Sequence, residues 1–420
     1  MRHTFLMRRN CLLLVFLLAL FNADAFSQIG VVVQLSPQVD PNEVAARFNG
    51  VVLEALSDAN QFLLSVPAMP TGPLSNDIRW IEANQPSTLP SNPRTAYLTV
   101  KQNADADWYK AQPSFALIKL SDALTYSRGR GVVVADINSD VDYSHPALVG
   151  HLTSGYDFVN DGPSGGGTSL NDSSASYLDE SSASYLDGVT ITYLNNSKAS
   201  YLDDSSASYL DSRNPAYSHG TLTAGILATV APESMIMPLR AFDDKGSATD
   251  FRIAKAIRYA VKHGAQVINM SFGSLTESSA VRSAIDYALR NGVILTASAG
   301  NNNTSNPQYP AAYDEVITTA ATNLNDVKAP FSNYGTPVYI DAPGVNIISA
   351  VPGNLYGIVS GTSFSAPIVA GTAALILAEG VSGVSARIAA GAININVQNP
   401  NYIGQLGAGR VDILNSVNPD

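Results

Sequence analysis

The 420-residue chain is 45% hydrophobic and 14% charged, enough apolar material for a sizeable core and for more than one folded unit. A formal net charge of -11 argues against a phosphate-binding face, and no nucleic-acid signature accompanies it. The only cysteine, Cys11, lies near the start, so a chain cut behind it has no disulfide, thiol nucleophile or cysteine-ligated metal.

Arg2, Arg8 and Arg9 precede an apolar run from Cys11 to Phe21, followed by Ala23-Asp24-Ala25. That order predicts an export signal over 1–25, cut after Ala25, and a secreted product, extracellular or periplasmic, with no membrane anchor. Residues 26–105 have another texture. Ile29 to Leu35, Val51 to Leu56 and Gln61 to Val66 read as strands, and Pro41 to Phe48 reads as a short helix, together a small α+β unit. Prolines 67, 70, 73, 86, 90 and 93 then mark a linker or extended arm.

From 106 to 420 strands and helices alternate, the pattern of an α/β domain with a mostly parallel sheet flanked by helices. Val132 to Asp136, Met235 to Phe242, Val267 to Ser271, Val293 to Ala297 and Val316 to Ala321 are the expected strands. A helix capped by Asp250 places Phe251, Ala254, Ile257 and Val261 on one face; another places Val281, Ile285, Ala288 and Leu289 together. Residues 173–212 interrupt this order with five octapeptides that keep a Tyr-Leu pair, at Tyr177, Tyr185, Tyr193, Tyr201 and Tyr209. Short strands, stacked turns and a polar low-complexity insertion all remain open for them. Their spaced Asp179, Asp187, Asp203 and Asp211 could attract calcium, but lack the dense oxygen spacing of a calcium loop.

Three separated pieces carry chemistry. Asp136 ends an apolar strand; Ser218-His219-Gly220-Thr221 opens a helical run; Ser363 stands between a Gly-Thr turn and the apolar stretch Ile368 to Ala378. There a hydroxyl would lie among unpaired helix N–H groups, which suits a nucleophile whose attack creates an oxyanion and equally suits an N-cap. A serine needs a base, and an imidazole needs a partner that fixes its tautomer; Ser363, His219 and Asp136 supply one of each.

The flanking sequences of all three resemble the subtilisin-like serine peptidases from about residue 115 onward. His219-Gly220-Thr221, Val267 to Gly273, Ala299-Gly300-Asn301, Phe331 to Gly335, Ala342-Pro343-Gly344 and Gly361 to Pro367 carry the resemblance, in the family's order. It implies Ser363 as nucleophile, His219 as general base and then acid, and Asp136 as the orienting carboxylate. It also implies Asn301 as an oxyanion donor and Ser271, Phe272 and Gly273 as a substrate-pairing edge. No cofactor is required for that chemistry; structural calcium is compatible with it but unplaced.

One departure stands out. The family's aspartate is followed by a small residue, glycine and Val-Asp-Tyr-x-His-Pro, whereas Asp136 precedes Val141-Asp142-Tyr143-Ser144-His145-Pro146 by two residues more. Asp140 is therefore the second candidate for the carboxylate, and His145 belongs to a structural turn. The N-terminal unit resembles the family's propeptide, with a mature start expected between 95 and 115. The expected product is a monomeric secreted endopeptidase acting on protein or peptide substrates through an acyl-enzyme. Two alternatives stand beside it: an inactive scaffold that binds a partner through its Tyr-Leu repeats, and a processing enzyme with one protein substrate.

Overall fold

The apolar strands expected after residue 130 assemble into one eight-stranded sheet. From one edge its order is Ile340–Pro343, Ile317–Thr322, Ile294–Ser298, Val267–Met270, Val133–Asn138, Met235–Arg240, Tyr156–Asp157 and Gly162–Pro163. All neighbours are parallel except the last pair. The computed structural model describes residues 28–90, 96–100, 108–164, 179–180, 189–193 and 218–418. The expected signal and the 105/106 boundary lie outside these residues. So do the octapeptides, apart from the strands Asp179–Glu180 and Val189–Tyr193, which pair with each other. Among the described residues no helix is long and apolar enough to cross a membrane.

Val133–Asn138 is central, and the chain leaves it first toward Met235–Arg240 and later toward Val267–Met270 on its other side. The carboxyl ends of such strands at a reversal of order leave a crevice, the usual ligand position in an open α/β sheet. Behind the crevice lies the helix Thr362–Ala378, apolar around its circumference and buried through Ile376. It packs with the helix His219–Val230 in one cluster that includes Phe364, Ile368, Leu222 and Ile226. The two helices approach closely because Gly371 has no side chain: a Cβ there would meet Val230 Cγ1 at 2.6 Å. Large-to-small changes in such a core cost about 2–5 kcal/mol each.

The helices Asp250–Lys262 and Ser279–Arg290 cover the sheet's other face, with Phe251, Ala254, Ile257, Val281, Ile285 and Ala288 buried. Thr249, rather than Asp250, is the first of these helices' cap, accepting from the Arg252 N–H. The N-terminal unit is a four-stranded antiparallel sheet carrying the helix Pro41–Arg47. Alternation decides how it docks. Val31, Val33 and Leu35 pack under its own helix, while Val32 on the opposite face joins the main-domain cluster that holds Phe251 and Ile257.

Polar contacts fix that docking. Arg258 bonds Asp58 (2.8 Å), Lys262 reaches the same carboxylate (2.7 Å), and Lys255 pairs with Glu54. Glu82 accepts from the Ser278 hydroxyl and from the N–H groups of Ser279 and Ala280 at 2.8–2.9 Å, complementing the positive end of Ser279–Arg290. The chain then runs on as Pro86–Thr88, antiparallel to Ser247–Thr249, with Thr88 bridging Gly273 on its other side.

Candidate active site

His219 is the first residue of its helix, fully buried, and its ring lies 5.8 Å from that of Phe364, the residue after Ser363. Gly220 lets the 139–140 loop press against this helix start: a Cβ would lie 2.6 Å from the carbonyl oxygens of both Ser139 and Asp140. The sheet end, the His219 helix and the Ser363 helix therefore meet at one point of the crevice.

The partner of the imidazole is Asn138, whose Oδ1 lies 2.7 Å from His219 Nδ1. Asp136, expected from the sequence to hold the ring, does not bond it. The strand continues two residues past Asp136, so Asn138 stands at its carboxyl end, on the same face as Asp136 by the two-residue period. Counted from Asn138, the residues Ser139-Asp140-Val141-Asp142-Tyr143-Ser144-His145-Pro146 match the family spacing without extra residues. The departure is thus a substitution of asparagine for aspartate rather than a longer loop. Asp140 accepts from the Val141 N–H within that loop.

The Asn138 amide can be oriented from its neighbours. Its Oδ1 also accepts from the Ser139 N–H (2.8 Å), which can only donate, and its Nδ2 donates to the Thr223 hydroxyl (2.9 Å). His219 must then donate from Nδ1 and carry its lone pair on Nε2, an atom that is buried and without a partner among the described residues. Burial with no carboxylate beside it pushes the imidazole down to about 4, so the ring is neutral near neutral pH.

Asp136 is buried as well, one strand repeat before Asn138. Its Oδ2 accepts from Thr223 Oγ1 (2.6 Å) and its Oδ1 from Asn269 Nδ2 (2.8 Å), with Asn138 Nδ2 at 3.5 Å from both oxygens. Burial pushes the carboxyl up to about 6, against the lowering effect of these donors.

Ser363 is the second residue of its helix and fully buried. Its hydroxyl rests 3.4 Å from the Ser271 carbonyl, and its own carbonyl accepts from the Ser271 hydroxyl (2.9 Å). Pro367 lies inside the helix, past its first turn. The N–H it lacks is the one that would have bonded the Ser363 carbonyl. Asn301 accepts from Thr362 N–H and Oγ1 (both 2.9 Å) through Oδ1, which fixes the amide; its Nδ2 is buried without a partner among the described residues. Gly273 pairs with Thr88 of the chain's own N-terminal segment. His145 is spent on structure, accepting from the Ala147 N–H at Nδ1 and facing the Leu355 carbonyl with Nε2.

Sequence reasoning missed Asn138, Thr223 and Asn269. Counting backward from Val141-Asp142-Tyr143 would have found the first; no motif marks the other two. Among the described residues no group of three or more His, Cys, Asp or Glu side chains gathers in a way that could hold a metal ion.

The sequence model of the subtilase family matches residues 129–393. A thermophilic serine proteinase of Bacillus sp. (strain AK1) is 30% identical over 381 residues, covering 86% of this chain and 81% of that one. Thermitase of Thermoactinomyces vulgaris is 32% identical over 282 residues, covering 65% and 84%. The crystal structure of fervidolysin from Fervidobacterium pennivorans, described as a keratinolytic enzyme related to subtilisin, superposes with a TM-score of 0.67 at 22% identity. The match covers 93% of this chain and 61% of that one.

Proposed function

The chain belongs to the subtilase family of serine endopeptidases, with the subtilisin-like fold, and from that premise we propose that it is a secreted enzyme acting through Ser363 and His219. The observation that carries this reading is the commitment of His219 Nδ1 to Asn138 Oδ1, which leaves Nε2 without a partner beside the helix whose first turn holds Ser363. A turn about χ1 swings the Ser363 hydroxyl from the Ser271 carbonyl toward Nε2. The hydroxyl attacks the scissile carbonyl while Nε2 takes its proton. The Ser363 N–H and Asn301 Nδ2 receive the developing oxyanion. His219 then returns the proton to the leaving amine, and water resolves the acyl-enzyme by the same steps. The basic start, apolar run and Ala-x-Ala site support export.

The N-terminal unit acts in this reading as a propeptide whose tail fills the cleft. Thr88 pairs antiparallel with Gly273, and the Leu89 N–H donates to the Gly246 carbonyl (2.8 Å). Continued by two residues, that register sets Pro90 opposite Ser271, whose carbonyl contacts the Ser363 hydroxyl. Its direction supports a first cut between Pro90 and Ser91, ahead of the interval expected from the sequence.

Asparagine at 138 is the observation that favours the competing reading, a protease-like scaffold. A fluorophosphonate probe separates the two. Labelling of wild type but not of Ser363→Ala is the outcome expected for the enzyme, and a folded, processed wild type that takes no label would leave the scaffold.

A further inference from the structure

The family's orienting position is occupied by an amide, yet a carboxylate lies one strand repeat behind it. We propose that Asp136 is a positioning residue that holds both halves of the catalytic pair, each through two intervening side chains. One arm runs through Thr223 and Asn138 to His219, the other through Asn269 and Ser271 to the Ser363 backbone. The inference deepens the endopeptidase reading and rests on it.

The first arm follows from donor and acceptor counts. A carboxylate only accepts, so Thr223 spends its one proton on Asp136 Oδ2 and offers an acceptor to Asn138. That turns the Asn138 amide nitrogen inward and its oxygen toward the ring. An isolated asparagine beside a catalytic histidine can equally present its NH2 and select the wrong tautomer. The loss of about 10⁴-fold when a serine protease exchanges its aspartate for asparagine comes from that failure. Here the Ser139 N–H and the Asp136–Thr223 pair exclude the wrong orientation.

In the second arm, Asn269 Nδ2 serves Asp136 Oδ1 (2.8 Å) and the Ser271 oxygen (3.0 Å), so the Ser271 proton is directed at the Ser363 carbonyl (2.9 Å). A single buried carboxylate thereby orients donors on the strand Val267–Met270, on the loop after it and on the His219 helix. Strand periodicity supplies the placement, because residues 136 and 138 share a face.

A second role is electrostatic. When His219 takes the serine proton, Asp136 is the carboxylate joined to it by hydrogen bonds, through Asn138 and Thr223. Asp140 and Asp142 of the adjacent loop face the N–H groups of Val141, Ser144 and Gly353. Phe364 covers the ring, and among the described residues no salt bridge reaches Asp136 or His219.

The test compares wild type, Asp136→Asn, Thr223→Val and the exchange Asp136→Asn/Asn138→Asp. Each is expressed as the full chain and titrated with a fluorophosphonate. Cleavage of fluorescein-labelled casein is followed against pH, with melting curves and the low-field resonance of the His219 ring N–H. Asp136→Asn is expected to lower kcat roughly 10- to 100-fold, a part of the 10²- to 10⁴-fold that general base catalysis supplies, with KM unchanged. Its acid limb should move to lower pH and the ring resonance should shift. Thr223→Val should move the resonance in the same direction. The exchange should regain activity to or above wild type and raise the acid limb, since the carboxylate then touches the ring. Wild-type kcat, acid limb and resonance in Asp136→Asn would overturn the proposal, as would a loss that the exchange does not recover and that follows melting alone. If wild type neither labels nor cleaves, the endopeptidase reading fails, while the resonances still decide whether Asp136 orients His219.

Discussion

Pro367 stands four residues after Ser363, so the helix cannot close on the Ser363 carbonyl, and the Ser271 hydroxyl donates to it instead (2.9 Å). A residue usually read as a helix defect thus ties Ser363, the proposed nucleophile, to Ser271 of the proposed substrate-pairing edge. In Pro367→Ala a helical N–H competes for that carbonyl. Replacing an interior proline stabilises a helix by up to about 3 kcal/mol where the backbone can relax. The expected variant melts higher and turns over several-fold more slowly, because Ser271 is released. Calorimetry and titrated kcat check both signs together; a variant that is more stable and equally fast would deny the tie any role in catalysis.

Asn301 makes its two observed bonds with Oδ1, leaving Nδ2 as the donor of the proposed oxyanion site. A donor of this kind is worth about 10²- to 10³-fold in turnover, the figure known for subtilisin's own asparagine. Asn301→Ala should lose kcat on that scale with KM nearly unchanged, because the charge it meets exists only in the transition state. A rise in KM at constant kcat would place Asn301 in ground-state binding.

The alternation of apolar strands and one-sided helices was legible because burial imposes periods of 2 and 3.6 on the chain. The boundaries were not: reading Val132 to Asp136 as the whole strand ended it two residues early, and that shift alone moved the expected partner of the His219 ring from Asn138 to Asp136. Ser363, His219 and Asn301 sit in motifs whose neighbours are constrained by turns and close approaches, as Gly220 is. Thr223 and Asn269 carry no such mark, since a helix threonine and a strand asparagine become partners of one carboxylate only through strand order. Docking of the N-terminal unit was equally hidden, because Asp58 and Arg258 lie 200 residues apart.

The register of the bound tail predicts processing. The earliest new N-terminus in a time course should be Ser91, read by sequencing of the released chain. Proline at 90 has no N–H for the Ser271 carbonyl, so the tail would bind one hydrogen bond short at the proposed cutting position. Pro90→Leu restores that donor and should speed the first cut by about tenfold, the worth of one well-formed hydrogen bond. A first product that starts within 95–115 would show that the tail slides before it is cut.

Release of the N-terminal unit should depend on pH through Asp250. This residue is buried at the docking surface next to Glu82, and burial together with the Glu82 charge pushes its carboxyl up to about 7. A raised carboxyl favours the docked form while it is protonated. Its contribution is full below the ordinary value near 3.8 and is lost as pH rises through about 7. The ion pairs of Asp58 act with the opposite sign, since its carboxyl is lowered through Arg258 and Lys262, and they fade only under acid conditions. Between pH 6 and 8 the Asp250 effect therefore dominates, and docking should weaken by roughly tenfold. Ser363→Ala keeps the precursor intact for the measurement, which is hydrogen exchange in the strand Ile78–Ala83. In that background Asp250→Asn should hold protection level from pH 6 to 8, because an amide keeps the neutral form of the contact at every pH. Equal pH dependence with and without the substitution would assign release to another group.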